Sequence, residues 1–114
     1  MTSQLIDFCN FDKLMLSRRE ILAYLSRNKK YFRDNFHIIK IGLFGSYAKG
    51  EQNFNSDIDL IVEFEINTPN LYDMKNKLRS FIKEDLNIEV DICREKYIKS
   101  IFKDSILKET LYVE

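Results

Sequence analysis

The chain has 114 residues, 45% hydrophobic and 32% charged, and its 18 basic and 18 acidic side chains balance to a formal net charge of +0. This is the composition of a soluble globular domain rather than a disordered segment, and the balance argues against a nucleic-acid binder driven by basic excess. Apolar runs are too short to span a membrane, no signal peptide is recognisable, and Cys9 and Cys93 show neither metal nor disulfide spacing. A cytoplasmic protein with reduced thiols, forming one domain over residues 1–114, is expected.

Residues 1–16 read as an N-terminal arm or a short helix, since Leu5, Ile6, Phe8, Phe11, Leu14 and Met15 have no clear period. Ser17-x-x-Glu20 is a capping-box pattern followed by Ile21, Leu22, Leu25 and Phe32, which predicts a helix from about Arg18 to Phe32. Ile38 to Phe44 is β-branched and apolar and reads as a buried strand ending at Gly45, with a glycine turn and a short helix after it. From Ser56 to Ile66 the chain alternates strictly, with Ile58, Leu60, Val62, Phe64 and Ile66 toward a core and Asp57, Asp59, Ile61, Glu63 and Glu65 on the other face. A loop at Pro69 leads to a helical stripe of Leu71, Met74, Leu78, Phe81 and Ile82 that ends near Leu86-Asn87. Ile88 to Cys93 is a third strand, Tyr97 to Thr110 a helix with Ile98, Ile101, Phe102 and Ile106 as its apolar set, and Leu111 to Val113 a final short strand. The fold class is therefore α/β (α+β): a small mixed sheet with helices packed on one face.

All three glycines, Gly42, Gly45 and Gly50, lie just ahead of Asp57-Ile58-Asp59. Two residues apart on a strand, Asp57 and Asp59 project from the same face, and Asp91 has the same phase on the next strand. Three ionised carboxylates this close repel one another unless a pKa rises or a cation sits between them, and hard oxygen donors select Mg²⁺ or Mn²⁺. Gly45-Ser46 opens a short helix whose free backbone N–H groups suit an anion, with the Ser46 hydroxyl and the Lys49 ammonium near it. A phosphate cradle facing a carboxylate cluster is the layout of phosphoryl or nucleotidyl transfer with two metal ions. It is not a P-loop, because Glu51-Gln52 follows Gly50 where Lys-Ser/Thr is required. Nor does it suit an Asp-x-Asp phosphatase, since the apolar alternation begins at Asp57 rather than ending there.

Gly45-Ser46, ten residues, Asp57-Ile58-Asp59, and later Val90-Asp91-Ile92 resemble the minimal nucleotidyltransferases of the DNA polymerase beta superfamily. The runs Ile41 to Gly50 and Ser56 to Phe64 share the likeness, which extends from about Ser17 to the C-terminus. The resemblance implies the nucleotidyltransferase fold, nucleotide binding by Gly45, Ser46 and Lys49, and metal binding and catalysis by Asp57, Asp59 and Asp91, with Asp91 also the base. It implies two Mg²⁺ ions, ATP as donor, and AMP transfer to a hydroxyl on a small helical-bundle HEPN-type partner. In that pairing the chain is the antitoxin of a toxin–antitoxin system. Relatives often carry arginines in the glycine turn where Tyr47 and Lys49 stand here. A small-molecule or RNA hydroxyl as acceptor, and a non-catalytic antitoxin that acts by binding, stay open as alternatives, as does a homo-oligomer; RNA is not indicated.

Plainer readings suit the remaining polar residues. Glu63, Glu65 and Glu89 are expected to be solvated, His37 to be a helix–strand boundary residue, and Cys93 to be strand packing. The basic first helix, from Arg18 to Arg33, reads as a solvated face.

Overall fold

The structure, a computed structural model, describes residues 16–113; the expectation for residues 1–15 lies outside them. Helix α1, Arg18–Arg27, starts in the predicted box: the Ser17 hydroxyl accepts from Glu20 N at 3.1 Å, and the Glu20 carboxylate accepts from Ser17 N at 2.8 Å. The helix predicted to run on to Phe32 breaks at Asn28 and resumes as α2, Lys29–Phe36. The Asn28 amide side chain donates to the Tyr24 carbonyl at 2.9 Å, and its backbone N–H reaches the same oxygen at 3.1 Å. This local bond offers the backbone an alternative to continued helix. Resuming lets α2 bury Phe32 and Phe36, which pack with Tyr31 around Phe81; the Tyr31 and Phe81 rings stack at 4.9 Å.

His37, in the left-handed region at φ 59°, caps α2 and turns the chain into β1, Ile38–Phe44. Then follow α3, Gly45–Lys49; β2, Ile58–Phe64; α4, Leu71–Leu86; β3, Val90–Arg94; a single 3₁₀ turn, Glu95–Tyr97; α5, Ser100–Glu109; and β4, Leu111–Tyr112. The sheet order is β3-β2-β1-β4, with β2 and β3 parallel and the other pairs antiparallel, so the mixed sheet is as expected. Ile41, Leu43, Ile58, Leu60, Val62, Phe64, Val90 and Ile92 turn one face toward Ile21, Leu25, Phe32, Leu78 and Ile82, forming the core.

The period-two reading holds as far as Phe64. Ile66, expected in the core, is 88% exposed beyond the end of β2. On the opposite face Ile61 is fully buried, in register with Gly42 on β1 and Cys93 on β3. Gly42 is bare because β4 closes over it: a Cβ there would stand 2.6 Å from Thr110 Cγ2 and 2.8 Å from Tyr112 Cδ1. The helical set expected at the C-terminus is only partly realised, since Ile101 is 80% and Phe102 55% exposed and none of the ten residues of α5 is buried.

Gly42→Val is expected to displace Thr110 and Tyr112 and cost about 1–3 kcal/mol, as overpacking typically does. Urea denaturation of the variant beside the parent protein measures the loss; an unchanged midpoint would contradict the close packing of β4 on β1.

Candidate active site

The site stands at the end of the sheet where β1 finishes and β2 and β3 begin. Phe44 on β1 is in register with Asp59 on β2, and Asp59 with Asp91 on β3. Neighbouring strands run about 4.8 Å apart, so the two carboxylates rise side by side from one face. Asp57 lies two residues ahead, just outside β2, and is exposed, as is Asp91; Asp59 is half-buried. Burial, then the charges of Asp91 and Asp57, push the Asp59 carboxyl up to about 6. The three predicted acids thus act on one another electrostatically. Among the described residues, however, no three His, Cys, Asp or Glu side chains are already drawn into a metal-holding group.

After Phe44 the chain crosses directly above Asp59. Gly45 takes φ 78°, and a Cβ on it would run into the Asp59 carboxylate, with Cγ at 3.0 Å and Cβ at 3.2 Å. Only glycine meets both demands, the left-handed backbone and the close approach. Ser46 follows in the first turn of α3, where backbone N–H groups lack intrahelical partners. Gly45 thus lies against Asp59, and Ser46 is the next residue along the chain.

The rest of the turn divides. Tyr47 is 2% exposed and packs in the core, its phenol pushed up by burial and then by Asp57, so it offers no charge to an anion. Lys49 is exposed, with Nζ 3.5 Å from Glu109 on α5. With both side chains nearly half exposed, such a pair is worth about 0–1 kcal/mol and yields readily to a stronger anion. Sequence reasoning missed what holds α3 from behind: Arg18 Nη1 donates to the Ala48 carbonyl at 2.9 Å, and Gln52 Nε2 to the Leu16 carbonyl at 3.2 Å. Arg18 was indistinguishable in sequence from the exposed basic residues beside it.

Further along the same face Glu63 is not simply solvated. Its Oε2 accepts from Glu95 N at 3.0 Å, and its Oε1 lies 3.5 Å from Arg94. Glu89 pairs with Lys83 at 2.6 Å, and His37 Nδ1 with Glu65 Oε1 at 3.2 Å, both at the surface. Cys93 is half-buried, its thiol raised by burial and then by Asp91, as a packing residue would be. No helix among the described residues is long and apolar enough to cross a membrane.

A glycine turn ending one strand over paired carboxylates on the next two frames this α/β domain. The nucleotidyltransferase domain family matches residues 25–113, and the chain belongs to that family. It is 35% identical over 99 residues to protein adenylyltransferase MntA of Thermococcus cleftensis, covering 87% of this chain and 98% of that protein. It is also 36% identical over 100 residues to a candidate protein adenylyltransferase of Methanocaldococcus jannaschii, covering 87% of this chain and 100% of that one. Among solved structures, one described as a candidate minimal nucleotidyltransferase superposes with a TM-score of 0.68 over 84% of this chain and 95% of its own; at 24% identity the likeness concerns the fold alone. A toxin–antitoxin structure with AMP-PNP superposes with a TM-score of 0.60 at 26% identity, over 85% of this chain and 72% of the other.

The electrostatics give a signed prediction. Asp59 binds a proton more tightly folded, at about 6, than at its ordinary 3.8, so its contribution to metal-free stability falls as pH rises from about 4 to about 6 and is level above. Asp59→Asn removes that penalty. At pH 7.5 without divalent cations it is expected to gain about 1 kcal/mol after allowance for screening, or roughly 4–8 °C in melting temperature. The gain should shrink toward pH 4 in a calorimetric series; a variant less stable than the parent at pH 7.5 would refute the repulsion.

Proposed function

We propose that the chain transfers AMP from ATP to a hydroxyl on a partner protein, as the adenylyltransferase and antitoxin of a paired system with a HEPN-type helical protein. The observation that carries this reading is the passage of the Gly45 backbone directly over Asp59, which stands in register with Asp91. Support for a protein acceptor comes from relatives named protein adenylyltransferases and from a toxin–antitoxin neighbour that holds AMP-PNP.

The reaction joins the acceptor oxygen to the α-phosphorus, breaks the bond from that phosphorus to the β-phosphate bridging oxygen, and releases pyrophosphate. Gly45 and Ser46 would hold the triphosphate through backbone N–H groups and the Ser46 hydroxyl, with Lys49 exchanging Glu109 for a phosphate. The donor set fits a divalent cation: oxygen ligands only, one of them with its ionised form disfavoured by burial and then by two like charges. Asp57, Asp59 and Asp91 would hold Mg²⁺, or Mn²⁺ in its place, and two bound ions would supply charge neutralisation at the phosphates and a lowered pKa at the acceptor hydroxyl. Asp91, exposed beside the row, would receive the acceptor's proton.

One observation favours the non-catalytic alternative: with Tyr47 turned into the core, α3 presents a single cation, Lys49. The two readings part under mutation. Replacing Asp57 and Asp59 together by Ala is expected to lower AMP incorporation into the partner by at least about 10³-fold, the scale of losing central charge stabilisation. Intact-mass analysis of the partner after incubation with ATP and Mg²⁺ reads the added AMP. Neutralisation of the toxin that survives this double substitution would mean that the chain acts by binding alone.

A further inference from the structure

Helix α3 is held at both ends by parts of the chain that lie outside it. At its start Gly45 presses on the Asp59 carboxylate, so the first turn is fixed to β2. At its finish the backbone closes on itself: Glu51 N donates to the Ser46 carbonyl at 2.9 Å and Gly50 N to that of Tyr47 at 3.4 Å, with Gly50 left-handed at φ 74°. That is the Schellman arrangement, and it leaves the Ala48 carbonyl to find a partner elsewhere. Arg18 takes it, donating from Nη1 at 2.9 Å across 30 residues of sequence. A second bond runs the opposite way, from Gln52 Nε2 just past α3 to the Leu16 carbonyl just before α1, at 3.2 Å. The start of α1 and the end of α3 are stitched by two reciprocal bonds. Nor is Arg18 where its own helix favours a cation. It is the first residue of α1, in a turn whose dipole suits acids such as Glu20, yet it reaches the carbonyl end of α3, where a cation is favourable.

We propose that Arg18 is a positioning residue for the nucleotide donor: with Gln52 it holds the far end of α3, so that the Gly45-Ser46 turn keeps its aim over Asp59. The proposal rests on the reading that Gly45 and Ser46 hold the triphosphate; Arg18 itself touches no substrate. A helix of five residues cannot keep its direction through its own hydrogen bonds. Burial of Tyr47 and Ala48 keeps α3 on the core, but hydrophobic contact is non-directional, whereas the bond to the Ala48 carbonyl sets an orientation. The Lys49–Glu109 pair, nearly half exposed on both sides, is a weaker tie. The capping box between Ser17 and Glu20 fixes the direction from which Arg18 leaves α1, so the clamp has a rigid base. Freed at its Ala48 end, α3 would pivot on Gly45, and a shift of about 1 Å at the turn is enough to misplace a bound donor.

The test compares the full chain with three variants: Arg18→Met, which keeps an apolar stem and removes the donor; Arg18→Lys, which restores a donor; and Arg19→Met, a control for charge on the same exposed turn. AMP-PNP binding with Mg²⁺ is measured by titration calorimetry, and amide hydrogen exchange is followed along the chain without nucleotide. Arg18→Met is expected to bind AMP-PNP about five-fold or more weakly, the lower range of coupling between separate groups. Exchange at Glu51, whose N–H closes the end of α3, should quicken while that of α4 stays as in the parent. Arg18→Lys should recover most of the affinity, and Arg19→Met should stay within about two-fold of the parent, as an exposed charge does. Undiminished AMP-PNP binding by Arg18→Met overturns the proposal. So does an equal loss in Arg19→Met, which assigns the effect to charge, or a loss without faster exchange at Glu51, which separates it from α3. A parent that binds no AMP-PNP removes the donor reading instead, and exchange at Glu51 then decides by itself whether Arg18 holds α3.

Discussion

The crossing of Gly45 over the Asp59 carboxylate fixes most of what surrounds it. It requires Phe44 to pair with Asp59, since only that register brings the turn above the acid rather than above a core residue. The register in turn sends Ile58, Leu60 and Val62 into the core and Ile61 and Glu63 to the other face. A slip of one residue in β2 would exchange these sets, burying Asp59 and turning Ile58, Leu60, Val62 and Phe64 out of the core. Parallel pairing of β2 with β3 then sets Asp91 beside Asp59 without further adjustment. Turn and acid row are one geometric unit, and the core residues that hold the register also hold the site.

That unit is under electrostatic load, and the structure braces it. A helix of five residues cannot sustain itself, because nucleation costs more than so few hydrogen bonds return. α3 is instead fastened through contacts made by other elements: Tyr47 and Ala48 buried against the core, Arg18 on the Ala48 carbonyl, and Glu109 on Lys49. These ties lie away from the carboxylates. None of them uses the first-turn N–H groups or the Ser46 hydroxyl, so the bracing does not consume the groups that would meet an anion.

Sequence patterns expose this arrangement unevenly, for physical reasons. β2 is legible because one of its faces is fully apolar, and α4 because Leu78 and Ile82 sit squarely on its buried stripe. The pairing of Gly45-Ser46 with Asp57-Ile58-Asp59 is legible because few chemistries need a bare backbone beside carboxylates. The break at Asn28 was hidden, since an asparagine in a helical run stops it only when its side chain finds a carbonyl, here that of Tyr24. Glu63 looked like any surface acid in a period-two strand, yet it accepts the backbone N–H of Glu95 where the chain leaves β3. Tyr47 fills the place of a basic residue in the turn but is drawn into the core. Which way that side chain faces depends on packing from α1 and β2, which no local pattern encodes.

Ile101 and Phe102 misled the helical reading in a more informative way. Periodicity reports which side chains seek burial, not which neighbour provides it, and among the described residues Ile101 and Phe102 stay largely exposed. The same gap appears at the carboxylates. Asp57 and Asp91 are exposed, so the site by itself does not exclude the water that would compete with an acceptor hydroxyl and weaken charge interactions at the phosphates. Four strands with helices on one face cannot wall the other face at the acid row.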